Sequence, residues 1–148
     1  MHISAAQSVE TIATLKSQGF PIVSETIAYF LSTTKTEMDA KGAGAKGKIQ
    51  PPIRFERDRE RLWRGIKEGT LSVVGTDSLT YSARFKESGD FWECRVGVNM
   101  QIADTLALLF DEAINRRGID LVTLAGALRE CGANVWHLSK KGSCGSGL

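Results

Sequence analysis

Cysteine is scarce. Cys94, Cys131 and Cys144 are odd in number and widely spaced in 148 residues. That excludes a disulfide framework and fits reduced thiols, so a cytoplasmic chain is expected. Charge of one sign is lacking too. Nineteen basic and 17 acidic side chains leave a net charge of +2, which gives no bulk electrostatic reason to expect nucleic acid or an anionic membrane as partner. No apolar run approaches the roughly 20 residues of a membrane span. The start, Met1-His2-Ile3-Ser4-Ala5, has no basic region ahead of an apolar core, so no secretory signal is expected. The three prolines include the adjacent pair Pro51-Pro52, which predicts a rigid extended entry. What remains, 42% apolar and 24% charged, is the composition of a globular chain.

Helix and strand alternate along it. Residues 8–16 place Val9, Ile12, Ala13 and Leu15 near one face, with Ser8 as cap and Gly19 as terminator. Residues 20–24 predict a short strand ending in Glu25-Thr26. Residues 33–48 are polar and glycine-rich and predict a surface loop with a helical turn at 36–40. Residues 57–68 predict a strong helix, with Leu62, Trp63 and Ile66 inward and Glu60 spaced to pair with Arg64. Gly69 ends it, and residues 71–77 follow as a buried strand.

Residues 78–98 predict a long polar, aromatic loop. In residues 102–115, Ile102, Leu106, Leu109, Phe110 and Ala113 form one apolar stripe, and Gly118 follows as a stop. Asp120 caps a last helix over 121–130, with a further turn at 134–138. Residues 1–140 therefore read as the ordered segment and 141–148 as a disordered tail. Two strands joined through a helix make one parallel βαβ unit, and two strands do not make a sheet that stands alone. Either further strands come from another chain or the domain is incomplete.

The run Leu71-Ser72-Val73-Val74-Gly75-Thr76-Asp77-Ser78 delivers a carboxylate at a strand exit, where α/β enzymes place general bases and metal ligands. Asp77 can equally cap the following turn. Gly42-Ala43-Gly44-Ala45-Lys46-Gly47-Lys48 approaches a phosphate-binding loop. It has Ile49 where Ser or Thr should reach Mg²⁺, and it follows polar residues rather than a buried strand, so it reads as surface loop. Arg54, Arg57, Arg59, Arg61 and Arg64 alternate with Glu56, Asp58 and Glu60, which predicts a solvated, ion-paired helix face. Cys131, His137 and Cys144 lack the spacing of a zinc knuckle. Phe85, Phe91 and Trp92 either line a substrate mouth or subunit contact, or pin their loop.

Several of these pieces occur together in one family. Pro51-Pro52-Ile53-Arg54, Leu62-Trp63-Arg64-Gly65, Gly69-Thr70 and Val74-Gly75-Thr76-Asp77 resemble the dihydropyrimidinase/hydantoinase family of cyclic amidohydrolases. Gly89-Asp90-Phe91 and Leu108-Leu109-Phe110-Asp111-Glu112 continue the resemblance, which covers nearly the whole chain in order. It implies an α/β fold, the C-terminal part of a (β/α)8 TIM barrel of the metal-dependent amidohydrolase type. A complete barrel takes about 250 residues, so the barrel is expected to be incomplete here. The implied activity is hydrolysis of the C–N bond in cyclic amides such as hydantoins or dihydropyrimidines, with two zinc ions. The alternative is a non-catalytic truncated homologue acting as an assembly or interaction subunit.

By this resemblance, residues 2–4, 21–25 and 71–77 stand at the sixth, seventh and eighth barrel strands. His2 matches a metal-binding histidine. Asp77 matches the aspartate that binds metal and serves as general base. Gln50 stands where a serine commonly helps to hold substrate, and Gly97 stands near an expected asparagine. Ser78 replaces a frequent histidine. The family's His-x-His pair, bridging lysine and further histidine would lie ahead of His2, and its β-sandwich extension would follow Lys140-Lys141-Gly142. The expected partners are a small cyclic amide and either a homo-oligomer or a complementary N-terminal barrel chain.

Overall fold

The computed structural model describes residues 1–87, 90–94, 97, 102–139 and 141–142. Helices pack around a two-stranded parallel sheet. In order these are α1 (Ala6–Ser17), β1 (Glu25–Ile27), α2 (Ala28–Ser32), α3 (Lys35–Ala40), α4 (Glu56–Lys67) and β2 (Val73–Gly75). Then come α5 (Thr105–Phe110), α6 (Leu121–Ala125) and α7 (Cys131–Val135). A wider π-turn, Asp111–Asn115, continues α5, and another, Gly126–Glu130, joins α6 to α7. Glu25 pairs with Val73, Thr26 with Val74 and Ile27 with Gly75.

The N-terminal residues run along the other edge of β1. The Ile3 backbone N–H donates to the Glu25 carbonyl at 2.8 Å, and the Thr26 hydroxyl donates to the Ile3 carbonyl at 2.7 Å. Three chain segments thus lie side by side in the order 3, β1, β2. Behind them, the Arg54 guanidinium donates to the buried Ser4 hydroxyl at 3.0 Å. The buried Asp58 carboxylate accepts from the Ala6 N–H at 2.8 Å and the Phe55 N–H at 3.3 Å. Asp58 therefore serves the first turns of both α1 and α4, which the anticipated Ser8 cap does not. Orphan N–H groups at a helix start donate to any well-placed carboxylate, including one distant in sequence.

Trp63 centres the core. Its indole N–H donates to the Leu31 carbonyl at 3.0 Å, and the Arg117 guanidinium lies 5.3 Å from its ring centroid. Val9, Ile27, Leu31, Leu62, Ile66, Leu71, Val74 and Leu109 are buried with it. A side chain at Gly65 would lie 3.0 Å from Val9 and 3.1 Å from Leu71, so the glycine lets α4 approach its neighbours closely.

Several expectations shift. The first strand begins at Glu25 rather than in residues 20–24, because Phe20 and Val23 are exposed and pairing starts where Ser24 accepts from Ser72 and Val73. Residues 33–48 hold α3, with its Thr34–Glu37 capping box, and a 3₁₀ turn, Gly44–Gly47, with Ala45 and Ile49 buried. Glu60 pairs with Arg117 at 2.5 Å rather than with Arg64. Arg61 is buried, not solvated, and bridges Glu10 and Glu68. The cap at Asp120 is observed, accepting from the Thr123 N–H at 2.9 Å.

The stripe on 102–115 is only half covered. Leu109 and Ala113 are buried, but Ile102 is 74% and Leu106 67% exposed. With Phe110, Leu121 and Leu128 they line a cleft of about 540 Å³ beside Val74 of β2 and the following Thr76. Periodicity reports an apolar face, not whether anything covers it.

Within 78–98, Lys86, Phe91 and Cys94 hold the described part of the loop, the Lys48 ammonium donating to the Phe91 carbonyl at 3.0 Å and lying 5.1 Å from its ring centroid. The buried Lys86 ammonium donates to the Lys48 carbonyl, and Lys48 donates to the Cys94 carbonyl at 2.6 Å. Burial pushes the Lys86 pKa down. Trp92 is 86% exposed. Cys94 and Cys131 are free thiols. Among the described residues no helix is long and apolar enough to cross a membrane. Gly89 of the anticipated motif, Lys140, Cys144 and the rest of the anticipated tail beyond Gly142 lie outside the described residues.

Candidate functional site

The side-by-side order of residue 3, β1 and β2 lets three titratable side chains meet beside the sheet. His2 precedes the paired Ile3, Glu25 opens β1, and Asp77 follows β2 after Thr76. His2 Nδ1 stands 3.8 Å from Glu25 Oε1, and His2 Nε2 stands 3.7 Å from Asp77 Oδ1. All three side chains are between one-fifth and one-quarter exposed, accessible without being free. The imidazole thus lies between two carboxylates.

The backbone here is unusual. His2 has φ of 54° and Asp77 of 47°, a left-handed conformation that costs L-residues energy and marks functional sites when it recurs. Beyond Asp77 the Ser78 N–H donates to the Thr76 hydroxyl at 3.2 Å, turning the chain away from the sheet. His2 Nδ1 is buried and, among the described residues, accepts and donates no hydrogen bond.

The expected metal pair is therefore brought together, and its chemistry suits zinc, which takes imidazole nitrogen and carboxylate oxygen. At 3.7 Å the two atoms are too far apart for a hydrogen bond. Tetrahedral zinc at ordinary bond lengths separates its ligand atoms by about 3.4 Å. Among the described residues, no group of three or more His, Cys, Asp or Glu could hold a metal ion. The pair fits as half of a ligand set. Glu25 contacts the imidazole from its other nitrogen and does not complete that set.

Gln50 and Gly97 are also brought together. The Gln50 N–H donates to the Gly97 carbonyl at 2.8 Å, and a side chain at Gly97 would lie 2.9 Å from Gln50 Oε1. Among the described residues, neither hydrogen-bonds to His2 or Asp77. Glu25 is the residue that sequence reasoning passed over. Its signal was the one that singled out Asp77, a carboxylate at a strand terminus, but read on the other strand.

No family model matches the chain. An allantoinase of Enterococcus faecalis is 28% identical over 141 residues, 95% of this chain and 30% of the relative. A D-hydantoinase of Geobacillus stearothermophilus is 30% identical over 125 residues, 82% of this chain and 26% of the relative. The crystal structure of dihydropyrimidinase from Brevibacillus agri superposes with a TM-score of 0.84 at 28% identity, covering 96% of this chain and 32% of that one. The chain is homologous to the cyclic amidohydrolases. Its relatives include hydantoinases and a dihydropyrimidinase, the family its motifs resemble. It spans about a third of the length of the curated relatives it matches.

Proposed function

We propose that this chain forms the last strands and helices of a (β/α)8 barrel whose complete form hydrolyses the C–N bond of a small cyclic amide. Residues 1–140 are the barrel segment in this reading. The observation that carries it is the approach of His2 Nε2 and Asp77 Oδ1 to 3.7 Å beside a parallel sheet, with Asp77 just past the exit of β2, the kind of position where barrel enzymes hold catalytic side chains. The homology to hydantoinases and allantoinases points to a hydantoin-like or dihydropyrimidine-like substrate.

His2 and Asp77 would hold zinc. When bound, zinc supplies Lewis-acid polarisation of the amide carbonyl and acidifies the attacking water. Asp77, about one-quarter exposed, would serve as the general base, holding a proton on its carboxylate and giving it to the departing ring nitrogen. Gln50 and Gly97, joined through their backbones, border the substrate side. The open apolar cleft beside β2 is the surface a complementary barrel segment would cover. A cytoplasmic compartment suits such chemistry.

The test is direct. Purified chain, alone and mixed with candidate N-terminal barrel segments, is assayed for zinc content and for turnover of hydantoin and dihydrouracil. Zinc uptake with turnover that Asp77→Ala abolishes is the expected result. Metal-free protein without turnover in every mixture overturns the reading.

A further inference from the structure

We infer that Glu25 is a positioning residue, whose carboxylate keeps the His2 proton on Nδ1 and so presents the Nε2 lone pair to the space shared with Asp77. This rests on the reading of His2 and Asp77 as metal ligands, and it concerns a residue that binds no metal itself.

Burial decides between the two nitrogens. Nδ1 is closed off from solvent, has no hydrogen-bond partner among the described residues, and faces Glu25 Oε1 at 3.8 Å. An ionised carboxylate only accepts. A bare lone pair on Nδ1 would confront that negative charge with no water to separate them, whereas an N–H there is attracted to it. Nε2 is not closed off in the same way, so water can satisfy its lone pair until a cation does. A neutral imidazole carries one proton, and placing it on Nδ1 frees Nε2 toward Asp77. Ligating histidines elsewhere are fixed by a carboxylate on the far nitrogen for the same reason.

Gly75 belongs to this arrangement. It pairs with Ile27 in the sheet, and a Cβ added there would come within 2.4 Å of Glu25 Oε1. Any side chain at 75 would occupy the volume of the Glu25 carboxylate. A glycine inside a strand weakens it unless something approaches closely, and here the Glu25 side chain does.

Long-range ¹H–¹⁵N spectra of the full chain, labelled at histidine and metal-free in mildly alkaline buffer, read the tautomer directly. His137→Asn, which removes the other histidine, assigns the His2 signals. The expected wild-type form is Nδ1–H. Glu25→Ala should shift it to Nε2–H and weaken zinc binding by about 10- to 100-fold. Glu25→Gln, whose amide oxygen still accepts, should retain Nδ1–H. Gly75→Ala should reproduce the Glu25→Ala spectrum with Glu25 intact, and it serves where Glu25→Ala fails to fold. An Nε2–H wild type, or a tautomer unmoved by both Glu25→Ala and Gly75→Ala, overturns the inference. Nδ1–H in a chain that takes up no zinc, alone or in any mixture with N-terminal barrel segments, would sink the metal reading while leaving the role of Glu25 intact. Zinc uptake by a chain with Nε2–H would do the reverse.

Discussion

His2 and Asp77, drawn from opposite sides of the β1–β2 unit, approach within 3.7 Å while both hold a left-handed backbone. Aspartate and histidine enter that region more readily than most residues other than glycine, though at a cost. Each residue sits at a bend leading to or from the sheet, and each carries the side chain the site requires.

The strain at Asp77 makes stability and ligand binding separable. Asp77→Gly should melt at or above the wild-type temperature, because glycine adopts φ of 47° freely. Asp77→Val should lose about 1–2 kcal/mol, since a β-branched residue fits that region worst. Both should lose zinc uptake. Thermal melts beside a zinc titration check this; a marked loss of stability in Asp77→Gly would show that the carboxylate is structural.

The apolar cleft predicts association. With Ile102 and Leu106 so exposed beside β2, the isolated chain should bind an apolar dye and sediment above its 16.1 kDa monomer mass. Replacing Ile102 and Leu106 together by Glu should abolish both behaviours without lowering the unfolding midpoint. A wild-type chain that is a dye-free monomer would argue that the face is innocuous.

Acid should unfold the chain through its inter-helix carboxylates. The hydrogen bond from Arg61 holds Glu10 below the usual carboxylate range. At Glu60 burial pulls upward, but the hydrogen bond from Arg117 and its charge outweigh it, and the net shift is downward. A carboxylate lowered on folding stabilises above its unfolded value, near about 4.3 for Glu, and loses that contribution as pH falls through its folded value. Urea midpoints should therefore be level from neutral pH to about 5 and fall below about 4. Glu60→Gln should flatten that fall. An unchanged slope in the variant would remove Arg117 from the account.

Much of this was legible before any coordinates. The helix around Trp63 announced itself because its apolar positions and charged positions obey one period, and its core residues are buried as expected. His2 and Asp77 were found through the family resemblance, and their approach was then observed. Glu25 was not found. Its place at a strand terminus did not by itself tie it to His2, and only the pairing of Ile3 with Glu25 and Glu25 with Val73 aligns the three segments. The α1 cap failed for a related reason. Ser8 was the local candidate, whereas the donor groups are met by Asp58 from another helix. Contacts that cross the chain are invisible to periodicity.

The Asp58 carboxylate has a wider consequence. It fastens the first turn of α1 to the start of α4, while Arg54 fastens Ser4. His2 lies just beyond these two clasps, so its reach toward Asp77 is set from the rear of the sheet. A flaw in either clasp would leave the hydrophobic core standing and let the imidazole swing away. The protein would then resemble itself by every global measure of folding while its two metal-type side chains no longer met.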